Sequence, residues 1–322
     1  MRYVAFATAL VATSFTLFAL PAMAATAAPP LPSASAPSVF AAGGRVMLPK
    51  SMTPAQSVAA SQVASTGRQF LTIGKDGTAT GGTMYAGDVK GNFIVPQHVQ
   101  AILDFALGAP MNVTNNFVNN GTVYCMSSNS SVRDAALNVR SFLNAQGATI
   151  SSALNLSINS KTTFENYGTI TSDSNLSISA ATSIANFGDI TSKNGNVSFT
   201  GTSSAFELGN VGHVYAVNGD INIIQASKAH TNLDVEGGQW TARNVNISAP
   251  NSNVRFVASD ISAIVNANAK SLAVGVTWGL VGLGNVPDKT TQVNAPQPEA
   301  LQVSETHADF DPHEYIVDTD TD

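Results

Sequence analysis

Hydrophobic and polar positions alternate in short segments that recur along the middle of the chain. The segment 155–158 (Asn-Leu-Ser-Ile) returns at residues 175–178, 196–199, 220–223 and 244–247, at steps of 20, 21, 24 and 24 residues. Alternation with a period of two is typical of a β-strand that buries one face. One coil of this size cannot bury its apolar side alone, whereas stacked coils can, so the recurrence indicates a solenoid.

A second motif of the form Asn-apolar-Gly-polar-apolar runs in phase with the first. It begins at residues 166, 186 and 210 and predicts these corner residues of the repeat: Asn166, Gly168, Asn186, Gly188, Asn210 and Gly212. We expect the asparagines to stack and to hydrogen-bond from coil to coil, as amides do in other repetitive β-structures. The glycines are expected to supply the positive φ that tight corners often need.

Together the repeats predict an all-β fold, a right-handed parallel β-helix of about six or seven coils. We expect the coils between about residues 115 and 266, within a region 115–286 that includes a C-terminal capping strand. Residues 67–114 are predicted to form an N-terminal cap. In this cap, Pro96 and the helical spacing of Val99, Ile102, Leu103 and Ala106 predict a short capping helix over residues 96–107.

The apolar, glycine-rich stretch 272–284 follows the repeats. It predicts either a strand that caps the solenoid or a docking surface for another molecule, because the open ends of a solenoid invite strand addition. The candidate assembly contact consists of Leu272, Val274, Val276, Trp278, Leu280 and Leu283.

The two ends of the chain have a different composition from the repeats. Arg2, an apolar run ending at Pro21 and the sequence Ala-Met-Ala predict a secretory signal peptide over residues 1–24. The Ala-, Ser- and Pro-rich residues 25–66 predict a flexible leader. Residues 287–322 carry nine acidic residues and one lysine and predict an acidic flexible tail. We therefore expect an exported protein without a transmembrane span after signal cleavage.

The amino-acid composition excludes several classes of function. Charged residues make up only 11% of the chain and the net charge is −6, which argues against a partner such as nucleic acid. The single cysteine excludes an intrachain disulfide and a cysteine-built metal cluster. We expect no cofactor and no resident metal, and leave open whether the acidic tail binds calcium.

Candidate catalytic residues are few and scattered. Enzymes that cleave polysaccharides need clustered carboxylates, and this chain shows no such cluster in its repeats. Asp189 and His213 occupy matching motif positions on successive coils, so they are either an acid–base pair or two solvated turn residues. Cys125 is either a buried small hydrophobe or a nucleophile, and Trp240 either packs in the core or offers a sugar platform. The structural interpretation is favoured in each case.

The sequence Asn-x-Gly-x-Ile-x-Ser at residues 186–192, followed by Gly-Asn-Val-Ser-Phe at 195–199, resembles the coils of filamentous-haemagglutinin-type adhesins. The resemblance implies a secreted bacterial β-helix that mediates attachment and aggregation. It covers the coil region only, and the chain has no Asn-Pro dipeptide of the kind found in the secretion domains of those adhesins.

We therefore expect an exported structural or adhesive β-solenoid, either a surface adhesin or a subunit of an extracellular assembly. Its expected partners are a second copy of itself, another surface protein or a glycan. The alternatives are a carbohydrate-active β-helix enzyme and a glycan-binding module without catalysis.

Overall fold

The computed structural model describes residues 70–229, 231–277 and 281–293. In this part the chain winds into a parallel β-solenoid of about ten turns and contains no helix. Most turns contribute three strands, and each inner strand pairs in parallel with the equivalent strands of the turns before and after it. The predicted signal peptide (1–24) and leader (25–66) lie outside the described residues.

The three stacks of strands form three faces, here called sheets 1, 2 and 3. Sheet 1 contains β1 (Gly82–Tyr85), β4 (Gln100–Asp104), β7 (Thr122–Met126), β10 (Thr149–Ser152), β13 (Thr169–Ser172), β16 (Asp189–Ser192) and β19 (His213–Ala216). Sheet 2 contains β2 (Asp88–Val89), β5 (Met111–Val113), β8 (Asp134–Val139), β11 (Asn155–Ser160), β14 (Leu176–Ala180), β17 (Val197–Gly201), β20 (Ile221–Gln225) and β24 (Gly282–Leu283).

Sheet 3 contains β3 (Phe93–Val95), β6 (Asn116–Asn119), β9 (Ser141–Asn144), β12 (Thr163–Asn166), β15 (Ser183–Asn186), β18 (Glu207–Asn210), β21 (Asn232–Glu236) and β25 (Thr290–Gln292). Two longer strands, β22 (Gln239–Ala258) and β23 (Asp260–Val276), each pass through all three sheets. The chain thus follows the order sheet 1, sheet 2, sheet 3 in every turn.

The core is a continuous column because each turn places its inward side chains above those of the turn before. Leu156 and Ile158 pair in register with Leu176 and Ile178, and all four are fully buried. In sheet 3 the same registration stacks four aromatic rings, whose successive centroids lie 5.2, 5.3 and 4.9 Å apart: Phe93, Phe117, Phe142 and Phe164. Like side chains therefore form ladders along the solenoid axis.

The predicted capping helix over residues 96–107 is wrong. The middle of this segment is strand β4, which pairs with β1 on one side and β7 on the other, and the rest has no helix. Ala101 and Leu103 face the core and are fully buried, and Ile102 between them is half-buried. The period-two arrangement prevails because neighbouring strands satisfy the backbone hydrogen bonds on both sides. The helical spacing of Val99, Ile102, Leu103 and Ala106 within the single segment contains no information about these strands.

The solenoid is also longer than the predicted six or seven coils. It begins before residue 115, since Phe70 and Thr78 form parallel bridges with Thr83 and Ile94. It continues past residue 266 to β25, which lies within the predicted tail and pairs with β23. These outer turns lack the Asn-x-Gly signature from which the coils were counted, although their strands keep the same register. The rest of the predicted tail, residues 294–322, lies outside the described residues.

The corner glycines are required by close packing between turns and not by positive φ. Gly168, Gly188 and Gly212 do not have positive φ, in contrast to Gly147 and Gly237. A Cβ on Gly188 would lie 2.0 Å from the carbonyl oxygen of Gly168, and a Cβ on Gly212 would lie 2.0 Å from that of Gly188. The expectation of positive φ at these three corners is therefore wrong.

We predict that Gly188→Ala lowers the free energy of unfolding by about 1–3 kcal/mol, the usual cost of overpacking an interior. The backbone of the neighbouring turn must move to accommodate the new methyl group. Gly81→Ala is the matched control, because its Cβ would meet nothing closer than a carbonyl oxygen at 3.5 Å. Denaturant titrations of both variants measure the difference, and equal stabilities would contradict the close-packing role of Gly188.

Candidate functional site

The repeat corners hold a buried ladder of asparagines inside the solenoid. Asn166 donates its Nδ2–H to Oδ1 of Asn186 at 2.7 Å, and Asn186 donates to Asn210 at 2.8 Å. Each of these side chains is at most 1% exposed. The Asn166 and Asn186 amides also donate to the carbonyl oxygens of Gly168 and Gly188 at 3.2 and 3.0 Å. The ladder therefore satisfies polar groups of the corner that would otherwise be buried without partners.

Two further members of this ladder were missed by the sequence motif. Asn119 donates to Asn144 and Asn144 donates to Asn166, both at 2.8 Å. Asn119 is followed by a second asparagine before Gly121 and Asn144 has its glycine three residues later, so neither fits the Asn-apolar-Gly motif, but each asparagine follows a buried phenylalanine by two residues, as Asn166 does. That Phe-x-Asn spacing was the available signal. Because the ladder is interior and saturated, its function is to hold the turns in register.

The outward face of sheet 2 is the most regular surface of the molecule. Its side chains form three polar columns that run along the solenoid. The first column is Asp134, Asn155, Asn175, Asn196, Asp220 and Asn244; the second is Ser157, Ser177, Ser198, Asn222, Asn246 and Asn266; the third is Asn112, Asn138, Asn159, Ser179 and Thr200. None of these columns contains a cation or an aromatic ring.

Hydrogen bonds between turns fix the orientation of many of these side chains. Asn159 donates to Asn138 at 2.9 Å and accepts from the Ser179 hydroxyl at 2.9 Å. In the second column, Asn246 donates to Asn222 at 3.1 Å. The result is a preorganised array of amides and hydroxyls, with carboxylates at Asp134 and Asp220, spaced about 4.8 Å along each column and about 6.6 Å between columns.

Asp189 and His213 lie together on the outward face of sheet 1. The Asp189 carboxylate oxygen is 3.0 Å from Nδ1 of His213, and the two side chains are 49% and 40% exposed. Their column neighbours are Thr169 and Gln239, which offer no second acid or base. The pair sits on an open sheet surface that does not exclude water. Its arrangement suits a surface ion pair better than a general acid–base pair.

Cys125 and Trp240 both belong to the interior. Burial raises the pKa of the Cys125 thiol to about 12, so the thiolate needed for nucleophilic attack is scarce at neutral pH. The Trp240 ring makes edge contacts with Phe199 and Phe256, and its Nε1–H donates to the Gly237 carbonyl oxygen at 2.8 Å. Trp240 is 1% exposed and therefore offers no platform to a sugar.

Tyr167 and Phe187 form a stacked pair at an outer corner. Their rings are parallel within 2° with centroids 4.7 Å apart, so each ring uses one face to cover the other. The Tyr167 hydroxyl donates to Glu165 at 3.4 Å. Burial, the Glu165 charge and this hydrogen bond together raise the pKa of Tyr167 to about 12. Because one face of each ring is covered by the other ring, the pair is a poor surface for stacking a sugar.

The described residues of the candidate assembly contact differ in exposure. Leu272 and Val274 point into the core and are at most 1% exposed, and Val276 is partly buried against it. Leu283 is 37% exposed and lies in β24 in register with the buried Val265, whereas Ile264, which is 48% exposed, is in register with Gly282. Trp278 and Leu280 lie outside the described residues. Of the six candidates, Leu283 is therefore the described one with substantial surface to offer a partner.

No family model, curated protein or solved structure matches the chain. Within residues 70–229, 231–277 and 281–293, no helix suits a membrane span and no three histidine, cysteine, aspartate or glutamate side chains are grouped as a metal site. The candidate functional surfaces are therefore the outward face of sheet 2 and the exposed C-terminal rung.

We predict that Asn186→Ala lowers the free energy of unfolding by about 1–3 kcal/mol, because it leaves the Asn210 acceptor without its donor inside the protein. Asn159→Ala removes equivalent ladder bonds where water replaces them, and is expected to change stability by no more than about 0.5 kcal/mol. Denaturant titrations of both variants measure the contrast. Equal losses would contradict a register-holding role specific to the buried ladder.

Proposed function

We propose that the protein is an exported, structural β-solenoid that acts as a surface adhesin, with the outward face of sheet 2 as its contact surface. The observation that supports this proposal is the flat array of oriented amides and hydroxyls on that face. An ordered surface of this kind suits a ligand that is itself repetitive, uncharged and rich in hydrogen-bonding groups. A polysaccharide at a cell or matrix surface has this chemistry.

The rigidity of the face favours adhesion. A ligand that meets Ser177 and its neighbours finds side chains supported by the core ladders beneath, so little conformational entropy is lost on binding. Each contact with an uncharged hydroxyl contributes little, but a polymer that follows the columns engages many of them at once. Weak, multivalent attachment is therefore the mode of binding that this surface fits.

Catalysis has less support. The Asp189–His213 pair is the closest arrangement to an acid–base site on the described surface, and it is half-exposed on an open sheet. A glycosidase needs two carboxyl groups that flank the bond to be cleaved. The predicted signal peptide and the resemblance of the repeats to filamentous-haemagglutinin-type adhesins instead favour an exported adhesive role.

We predict that the full-length chain is retained by insoluble uncharged polysaccharides, and that Ser177→Lys weakens retention at least about tenfold, the cost of about 1.4 kcal/mol. The lysine would stand in the centre of the three columns and keep a polymer off the face. Thr171→Lys, on the outward face of sheet 1, is the matched control and should bind like the unaltered chain. Equal losses in both variants, or no retention by the unaltered chain, would contradict sheet 2 as the adhesive surface.

A second candidate function is assembly of copies end to end. It is favoured by two exposed apolar side chains on the C-terminal rungs of sheet 2: Leu283, in register with the buried Val265 at the end of the core, and Ile264 on the outward face. Within the described residues β24 pairs on one side only, with β23. An unpaired strand edge flanked by apolar side chains is a template for a strand from another copy.

We predict that the full-length chain forms regular filaments or sheets as its concentration rises, seen by electron microscopy. Leu283→Lys should abolish them, because a buried lysine would lose its hydration at the contact. Val217→Lys changes an apolar side chain that is 59% exposed in the middle of the solenoid and serves as control. Short isolated rods at every concentration, or assembly unchanged by Leu283→Lys, would contradict this contact.

A further inference from the structure

One outward column of sheet 3 is apolar and buried, unlike the outward columns of sheets 1 and 2. Consecutive turns place Ile94, Val118, Leu143, Glu165 and Ala185 in register on this column, which we call the sheet 3 stripe. Ile94, Val118, Leu143 and Ala185 are 5%, 0%, 3% and 7% exposed, and Glu165 is 8% exposed. Side chains on the outside of a solenoid are buried only if another part of a molecule lies over them.

The stripe is not an extension of the core. The residues on either side of Leu143, namely Phe142 and Asn144, point inward, so the period of two places Leu143 outside. Ile94, Val118 and Leu143 form a hydrophobic cluster separate from the interior core, and no other buried or partly buried hydrophobic side chain of the described residues packs on it. By contrast, Ser157 and Asn159 on the outward face of sheet 2 remain half-exposed.

We propose that the stripe is the docking surface for residues 45–69 of the same chain. The first argument is the path of the backbone. Phe70 bridges to Thr83 in sheet 1, and in each turn the chain enters sheet 1 from sheet 3. The segment that precedes Phe70 therefore approaches the solenoid from the side of sheet 3, at the N-terminal end where Ile94 begins the stripe.

Charge also favours this segment over the C-terminal one. Residues 45–69 carry Arg45, Lys50 and Arg68 and no acidic residue, whereas residues 294–322 carry eight acidic residues and no lysine or arginine. The stripe contains the carboxylate of Glu165. Apolar side chains lie on both sides of this carboxylate along the stripe, and they strengthen its electrostatic interactions. It therefore attracts a basic segment and repels a strongly acidic one.

Length and composition are sufficient. The four intervals between the five rungs of the stripe span about 19 Å, which about six residues of extended chain would cover. Residues 45–69 contain Val46, Met47, Leu48, Val58 and Val63. These side chains provide apolar groups to pack on Ile94, Val118 and Leu143, and burial of each large one contributes about 1.5–3 kcal/mol. The segment that composition alone predicts as part of a flexible leader thus has a specific binding surface.

Photo-cross-linking in the full-length chain tests the proposal. A p-benzoylphenylalanine in place of Leu143 should attach, within one chain, to the tryptic fragment 51–68 or to the preceding fragment that ends at Lys50. Mass spectrometry identifies the attached fragment. The fragment that contains the C-terminal segment, residues 290–322, is distinct after trypsin cleavage at Lys289. The same photoreactive residue in place of Ser157, on the outward face of sheet 2, is the control and should not attach to residues 45–69.

A thiol-labelling experiment tests the same contact without a bulky side chain at position 143, and so covers the case in which that side chain by itself displaces residues 45–69 from the stripe. In the full-length chain, Leu143→Cys should react with a maleimide at least about ten times more slowly than Ser157→Cys, because labelling requires local opening. Native Cys125 is buried and stays unreactive. Adding Arg45→Glu, Lys50→Glu and Arg68→Glu should raise the labelling rate of Leu143→Cys and leave that of Ser157→Cys unchanged.

The two experiments decide the occupant. An intramolecular cross-link to residues 45–69 with slow labelling of Leu143→Cys supports the proposal. A cross-link to residues 290–322, a cross-link to a second copy seen as a doubled mass, or labelling of Leu143→Cys as fast as that of Ser157→Cys would overturn it. Labelling that stays slow after the charge reversals, without a cross-link to residues 45–69, would also overturn it.

Discussion

The in-register stacking of one turn on the next is the interaction on which the rest of the structure depends. Parallel backbone hydrogen bonds hold successive turns at about 4.8 Å, and this distance is short enough for equivalent side chains to touch. Phenylalanine therefore stacks on phenylalanine, as Phe142 does on Phe164, and asparagine donates to asparagine, as Asn166 does to Asn186. The same distance leaves no room for a side chain at Gly188, where two corners meet.

Stacking also separates the inside of the molecule from its outside. The inward positions are occupied by apolar ladders and by amides whose hydrogen bonds are made within the corner, so the interior has little capacity for ligands. Contacts with other molecules are therefore made by the three outward faces, which differ in side-chain composition. Sheet 1 carries mixed polar side chains with the Asp189–His213 pair, sheet 2 carries mainly amides and hydroxyls with two aspartates, and sheet 3 carries the buried, largely apolar stripe. We propose adhesion for the outward face of sheet 2, assembly for its C-terminal rungs, and docking of the chain's own N-terminal segment for sheet 3.

The sequence was most informative where the repeat is most regular. Between residues 155 and 223, polar and apolar residues alternate and the Asn-x-Gly corners recur, so the phase of each side chain could be assigned before any contact was known. That phase placed Asp189 next to His213, and the structure has them 3.0 Å apart. The apolar side chains around residue 100 are compatible with both patterns, because Val99, Ile102, Leu103 and Ala106 fit a helical spacing while Ala101 and Leu103 also fit the inward face of a strand. The pairing partners of β4 decided between the two patterns.

The sequence by itself determined that the chain forms a stacked β-solenoid with polar outward ladders, because a two-residue period repeated every turn leaves few other ways to bury the apolar side. Only the tertiary structure decided how far the coils extend and which side chains reach the surface. Backbone pairing continues beyond both ends of the repeat signature. On the N-terminal side Val95 takes the register position of Asn119, and on the C-terminal side Leu272 and Val274 point inward. The burial of Leu143 on an outward face likewise depends on a long-range contact, for which alternation along a single strand gives no signal.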